Sequence, residues 1–200
     1  MAVLRKRRSD EIDPFSDLLF NTLLIFVLLF AVALVAMNPK AKTGVIDAKA
    51  EFIITVTWPD LNPNDIDTWV QDPGGNLVWF RQRESGLMHL DRDDRGVAND
   101  SIVVNGQSVV NPLNQEVVTL RGFAPGEYTV NVFYYESKNG EPVPVSISVV
   151  KVNPRAEVVF YGSVNLGRKG DEATAVRFST DREGHVTSVN TLPKTLVERI

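Results

Sequence analysis

Residues Leu18 to Met37 read LLFNTLLIFVLLFAVALVAM, twenty positions without a charge and with only Asn21 and Thr22 polar. At about 1.5 Å per residue, such a helix extends about 30 Å, the thickness of a bilayer's hydrocarbon core. The run predicts a membrane helix over residues 13–37, preceded by a basic tail (residues 1–12). Arg5-Lys6-Arg7-Arg8 stands before it, and the positive-inside rule then places the N-terminus in the cytoplasm and residues 38–200 outside. A cleaved signal peptide shares this order of basic and apolar regions, but its apolar part spans about 7–15 residues. Acids also crowd the start of this run at Asp10, Glu11, Asp13 and Asp17. The expectation is an uncleaved anchor.

Composition narrows the rest. The chain has no cysteine, which excludes a disulfide scaffold. Its net charge of −4 argues against a nucleic-acid partner, because the only basic cluster is the one at residues 5–8. Enzyme motifs are missing: His89 and His185 are the only histidines, and neither lies near an HExxH, a GxSxG or a phosphate-binding glycine loop. No enzyme activity is expected.

The start of the helix carries chemistry. Asp13 offers an N-cap acceptor and Pro14 suits the first helical position. Asp17 then lies about one turn in, with Asn21 four residues further on the same face and Thr22 beside it. A carboxylate within a bilayer costs on the order of 3 kcal/mol, and such groups face a partner or a water path. The plainer alternative keeps Asp17 shallow, in the headgroup zone, where an acid favours a helix N-terminus.

Pro14-Phe15-Ser16-Asp17 followed by LLFNTLLIFVLLF resembles the start of the membrane helix in the ExbD/TolR family and, more distantly, in MotB-type stators. The resemblance covers Asp13 to Met37. It implies that Asp17 is the ion-carrying group of an ion-driven motor, with a proton or sodium as coupling ion and Asn21 and Thr22 as a supporting polar face. It also implies a homodimer housed in a pentamer of a polytopic ExbB/TolQ/MotA-like subunit, in a bacterial cytoplasmic membrane. Asp13 competes for the proton role, but a cap has its oxygen engaged and lies outside the apolar core.

Asn38 to Ala50 is small, polar and broken by Asn-Pro, which reads as a linker. Beyond it the period changes to two. Residues 51–58, 66–70, 76–81, 116–120, 127–135, 143–152, 157–165, 174–179 and 185–190 are rich in Val, Ile, Thr and aromatics, with turn signals such as Asp72-Pro73-Gly74-Gly75 and Lys138-Asn139-Gly140 between them. The expected fold class is therefore a single transmembrane helix followed by an all-β antiparallel sandwich outside the cytoplasm. The sandwich takes residues 51–152, and residues 153–200 add strands or a hairpin to it. Trp58, Trp69 and Trp79 are expected to pack in its core or at its edge.

The acids of this domain are patterned. Asp65-Ile66-Asp67-Thr68-Trp69 is followed by Asp91-Arg92-Asp93-Asp94-Arg95-Gly96 and by Pro125-Gly126-Glu127-Tyr128-Thr129-Val130. These pieces resemble a YfaP-like family of exported β-sandwich domains across about Phe52 to Val150. Clustered aspartates suit a hard cation such as Ca²⁺, which takes about six to eight oxygens. The spacing is not that of an EF-hand, and Arg92 and Arg95 stand within the cluster. The expectation is that these arginines offset Asp65, Asp67, Asp91, Asp93 and Asp94 in a structural loop network, with Ca²⁺ as the alternative.

Together these readings predict a B-type motor subunit that couples ion flow at Asp17 to force on the outer domain, whose own partner is unknown. The competing classes are a passive membrane-anchored envelope-binding or adhesion module, and a secreted sandwich left after signal cleavage.

Overall fold

The computed structural model describes residues 14–37, 50–96 and 100–197, and for residues 34–37 only the backbone. The basic tail, the expected cap Asp13 and most of the predicted linker lie outside the described residues. The helix and the β-domain form separate compact units.

Helix α1 (Pro14–Met37) begins at the proline, as its fixed φ and missing N–H favour. Its side chains from Pro14 to Ala33 are exposed all round, and this stretch has a mean hydropathy of 2.2. A helix apolar on every face has no solvated side, so its surroundings are expected to be lipid. Length and composition alone fit a membrane anchor and a signal sequence equally well.

The remaining chain is an antiparallel sandwich. Its strands are β1 (Phe52–Trp58), β2 (Asp65–Gln71), β3 (Leu77–Val78), β4 (Glu84–Ser85), β5 (Met88–Arg92), β6 (Ser101–Val104), β7 (Gln107–Val110), β8 (Asn114–Leu120), β9 (Gly126–Glu136), β10 (Val143–Lys151), β11 (Glu157–Leu166), β12 (Glu172–Thr180) and β13 (Val186–Asn190). One sheet has the order β11-β10-β1-β8-β5-β4 and the other β13-β12-β9-β2-β3, while β6 and β7 pair only with each other. The strands after Asn153 join both sheets, β11 beside β10 and β12 beside β9.

Alternation builds the core. Phe52, Ile54, Val56 and Trp58 of β1 are buried, as are Val143, Val145, Ile147 and Val149 of β10, while the residues between them are half-buried or, at Pro144, exposed. Facing them are Tyr128, Val130, Val132 and Tyr134 of β9 with Val176 and Phe178 of β12. The Phe178 ring lies 5.4 Å from Phe52 and 5.1 Å from Tyr128. Tyr128 also accepts a hydrogen bond from the Ala124 N–H at 2.7 Å and donates to the Ala124 carbonyl at 3.2 Å, the arrangement of a tyrosine corner. Tyr128→Phe strips the Ala124 N–H of its acceptor, and we expect a loss of about 1–3 kcal/mol in urea unfolding of the full chain in detergent.

Four local features differ from the sequence expectation, and two of them are that β4 and β5 lie outside the expected runs. The run at residues 76–81 holds only the two-residue β3, because the chain then turns and Trp79 bridges to Gln82. The hairpin β6–β7 has no counterpart among the expected strands, although its Asn105-Gly106 turn, both residues with positive φ, is a strong hairpin signal. Its strands are exposed on both faces, with Ile102, Val103, Val109 and Val110 uncovered, so no buried alternation marks them.

Candidate functional site

Two groups of polar residues stand out, one on each unit. On α1 the Asn21 amide donates to Asp17 Oδ1 at 3.4 Å, and the Thr22 hydroxyl donates to the Leu18 carbonyl at 2.8 Å. The i, i+4 spacing brings Asp17 and Asn21 together on one face. Thr22 satisfies itself on its own helix, the usual solution where water is absent. Asp17 is the only charged residue among positions 14–37.

The second group lies where the two sheets approach. Asp65 and Asp67 come from β2, Glu116 from β8, and Asp93 and Asp94 from the segment just after β5. One carboxylate oxygen from each of Asp67, Asp93 and Glu116 lies within 4.8 Å of the others. Glu116 is only 1 % exposed and Asp67 2 %. Glu116 occupies the same inward row of β8 as Val118 and Leu120, and its Oε2 accepts the Thr68 backbone N–H at 2.6 Å across the two sheets. Gly96 ends the acidic segment with φ +67°, and a Cβ there would meet the Pro63 carbonyl oxygen at 2.7 Å. Glycine at this position lets the segment close onto the turn before β2.

Burial raises the affinity of these carboxyls for protons. Desolvation, reinforced by Asp65 and Asp93, pushes Asp67 up to about 8. The same cause, with Asp93 and Glu136 adding to it, takes Asp65 to about 7. Glu116 is pushed well above the ordinary carboxylate range by burial and then by Asp67, although the Thr68 hydrogen bond opposes this.

Of the charge balance expected from the sequence, one direct ion pair is present, and Arg95 acts on Asp65 only at longer range. Arg92 pairs with Asp94 at 2.7 Å, and the same Asp94 oxygen accepts the Gln115 N–H. Among the described residues Arg95 makes no ion pair, and neither do Asp65, Asp67, Asp93 and Glu116. Asp91 is elsewhere: it is exposed, and it meets His89 Nδ1 at 2.8 Å and the Thr119 hydroxyl at 2.6 Å. Alternation explains this, because Leu90 points inward and its neighbours on β5 do not. Sequence reasoning misses Glu116, because a glutamate at the start of a strand-like run reads as a solvated edge residue.

The histidines have ordinary explanations. His89 forms the surface pair with Asp91, and His185 closes a turn in which Asp181 accepts its backbone N–H at 2.8 Å. Trp58 and Trp69 are buried, and Trp79 stacks on Trp69 at 4.5 Å. Phe80 lies 4.9 Å from Tyr135, and the Arg81 guanidinium lies 5.3 Å from the Phe80 ring. Trp69, Trp79, Phe80, Arg81 and Tyr135 line an open groove of about 790 Å³ on the β-domain.

No family model, curated protein or solved structure matches the chain.

Proposed function

We propose that the chain is the B-type subunit of a proton-motive-force-driven rotary motor. The observation that carries this reading is Asp17, the one charge in an otherwise apolar helix, hydrogen-bonded to Asn21 on the same face. A plain anchor would gain from Asp17 only the favourable charge at the helix N-terminus and has no use for Asn21 beside it, whereas an enclosing partner with a water path gives the pair a use. The resemblance of residues 13–37 to the ExbD/TolR family supports the same role.

In this mechanism ionised Asp17 takes up the coupling ion from the outer side. With a proton it becomes a neutral acid that the apolar wall of a polytopic ExbB/TolQ/MotA-like pentamer tolerates. Movement of that pentamer around a dimer of α1 brings Asp17 to an inner water path, where the proton leaves. One charge crossing 100 mV gains about 2.3 kcal/mol, enough to bias each step. The β-domain receives the resulting force outside the cytoplasm.

A passive envelope-binding module is the second reading, and the aromatic groove beside Trp79 and Tyr135 favours it. The two differ in the state of Asp17. A hydrophobic carbodiimide adds to protonated carboxyls held in apolar surroundings. Treatment of native membranes with dicyclohexylcarbodiimide is expected to label the peptide containing Asp17 and to leave Asp17→Asn unlabelled. An ionised Asp17 at the headgroups would stay unmodified, and that result overturns the motor reading. Co-expression with the polytopic protein encoded by a neighbouring gene should yield a hetero-oligomer; a clean monomer from that preparation contradicts it.

A further inference from the structure

We propose that Asp67, Asp93 and Glu116 form a binding site for one Ca²⁺ ion where β2 and β8 meet. This site is independent of the helix and of the motor reading.

Two oxygens each about 2.4 Å from one ion lie at most about 4.8 Å apart. The carboxylate oxygens of the three residues satisfy that limit pairwise. They come from three separate stretches of chain, so their convergence is a product of the fold.

The same oxygens are short of partners. Glu116 and Asp67 are 1 % and 2 % exposed, yet Glu116 Oε1 and Asp67 Oδ2 have no hydrogen-bond partner among the described residues. Asp93 Oδ1 is buried and unpartnered as well. A single buried acceptor without a donor is a stability cost that packing can absorb. Three in one place, with no cationic side chain among the described residues paired to any of them, amount to a concentrated deficit that one bound ion removes.

Donor chemistry selects the ion. The ligands are all oxygen, without histidine or cysteine, which suits a hard cation and not zinc. Three carboxylates supply part of the six to eight oxygens that Ca²⁺ takes, and water would complete the shell. Mg²⁺ demands near-octahedral geometry at short distances, which three carboxylates from separate stretches of chain meet less readily than the longer, flexible shell of Ca²⁺. The bound ion would tie the segment after β5 to both sheets, doing for Asp93 what Arg92 does for Asp94.

The test uses the full chain in detergent, with unfolding followed by the near-UV signal of its three tryptophans, all in the β-domain. A ligand that binds only the folded state raises its stability by mass action. For a domain of this size, Ca²⁺ at about a hundredfold excess over Kd should raise Tm by about 5–10 °C relative to EDTA. Glu116→Gln and Asp67→Asn keep shape but remove charge, and each is expected to abolish the shift. Asp91→Asn is expected to retain it in full. No shift in the wild type, or an undiminished shift in both Glu116→Gln and Asp67→Asn, overturns the proposal. Calorimetric titration of the wild type reads the same point without any variant: a single Ca²⁺ per chain supports the site, and no binding overturns it.

Discussion

Asp17→Asn is expected to abolish function in cells while the chain still inserts and assembles. Asparagine keeps the size of the side chain and can still hydrogen-bond Asn21, whose amide meets Asp17 Oδ1 at 3.4 Å. What it loses is the ability to exchange a proton or to pair with sodium. The helix itself should be slightly easier to insert, since a carboxylate within the bilayer costs on the order of 3 kcal/mol. Stability and function therefore move in opposite directions, which separates loss of ion carriage from misfolding. Complementation of a strain lacking the chain is the measurement. Asp17→Asn should fall to the empty-vector level with normal membrane abundance. Asp13→Asn should complement, because the capping role expected of Asp13 from the sequence is one that asparagine fills as well. Full complementation by Asp17→Asn would remove the motor reading.

The β-domain should lose stability as pH rises when divalent cations are absent. Asp67 and Asp65 have carboxyls pushed up to about 8 and about 7 in the fold, from 3.8 in the free side chain. Groups raised in this way bind more protons folded than unfolded, so stability falls with rising pH between the two values. Their contribution is complete below about pH 4 and is lost as pH climbs through 7 and 8. Each pH unit within that window removes about 1.4 kcal/mol per group. Glu116 acts in the same direction, since burial raises it too. Arg95 lowers Asp65, whereas Asp93, Asp94 and Glu136 raise it. Several kcal/mol are lost in total, and Tm of the full chain in detergent with EDTA should drop by on the order of 10 °C between pH 5 and pH 8.5. Asp67→Asn should flatten the profile. A Tm that is level or rises across that range would mean that these carboxyls are ionised in the fold.

Short-range periodicity made part of this architecture legible in the chain. An uncharged run of twenty residues leaves a helix no solvated face, and Pro14 begins that helix as its geometry requires. Alternation identified β1, β8 and β10, because a strand buried on one face writes its environment into every second residue. The same rule fails where packing is not one-sided. The strands β6 and β7 are exposed throughout and leave no pattern, and β4 is too short to show one. The acidic site divides along the same line. Its aspartates were visible as a cluster in the chain, but which of them meet depends on register and on the contact between sheets. Asp91 and Asp93 are two residues apart, yet the first is at the surface and the second is beside Asp67, because β5 ends between them. Glu116 joins the site from a distant strand through its inward position and its bond to Thr68. Arg92 and Arg95 looked equivalent in sequence, yet Asp94 stands beside Arg92, and Arg95 has no ion pair among the described residues. Charge neutralisation is a matter of distances of a few ångströms, and those are set by how the two sheets and their connecting segments pack.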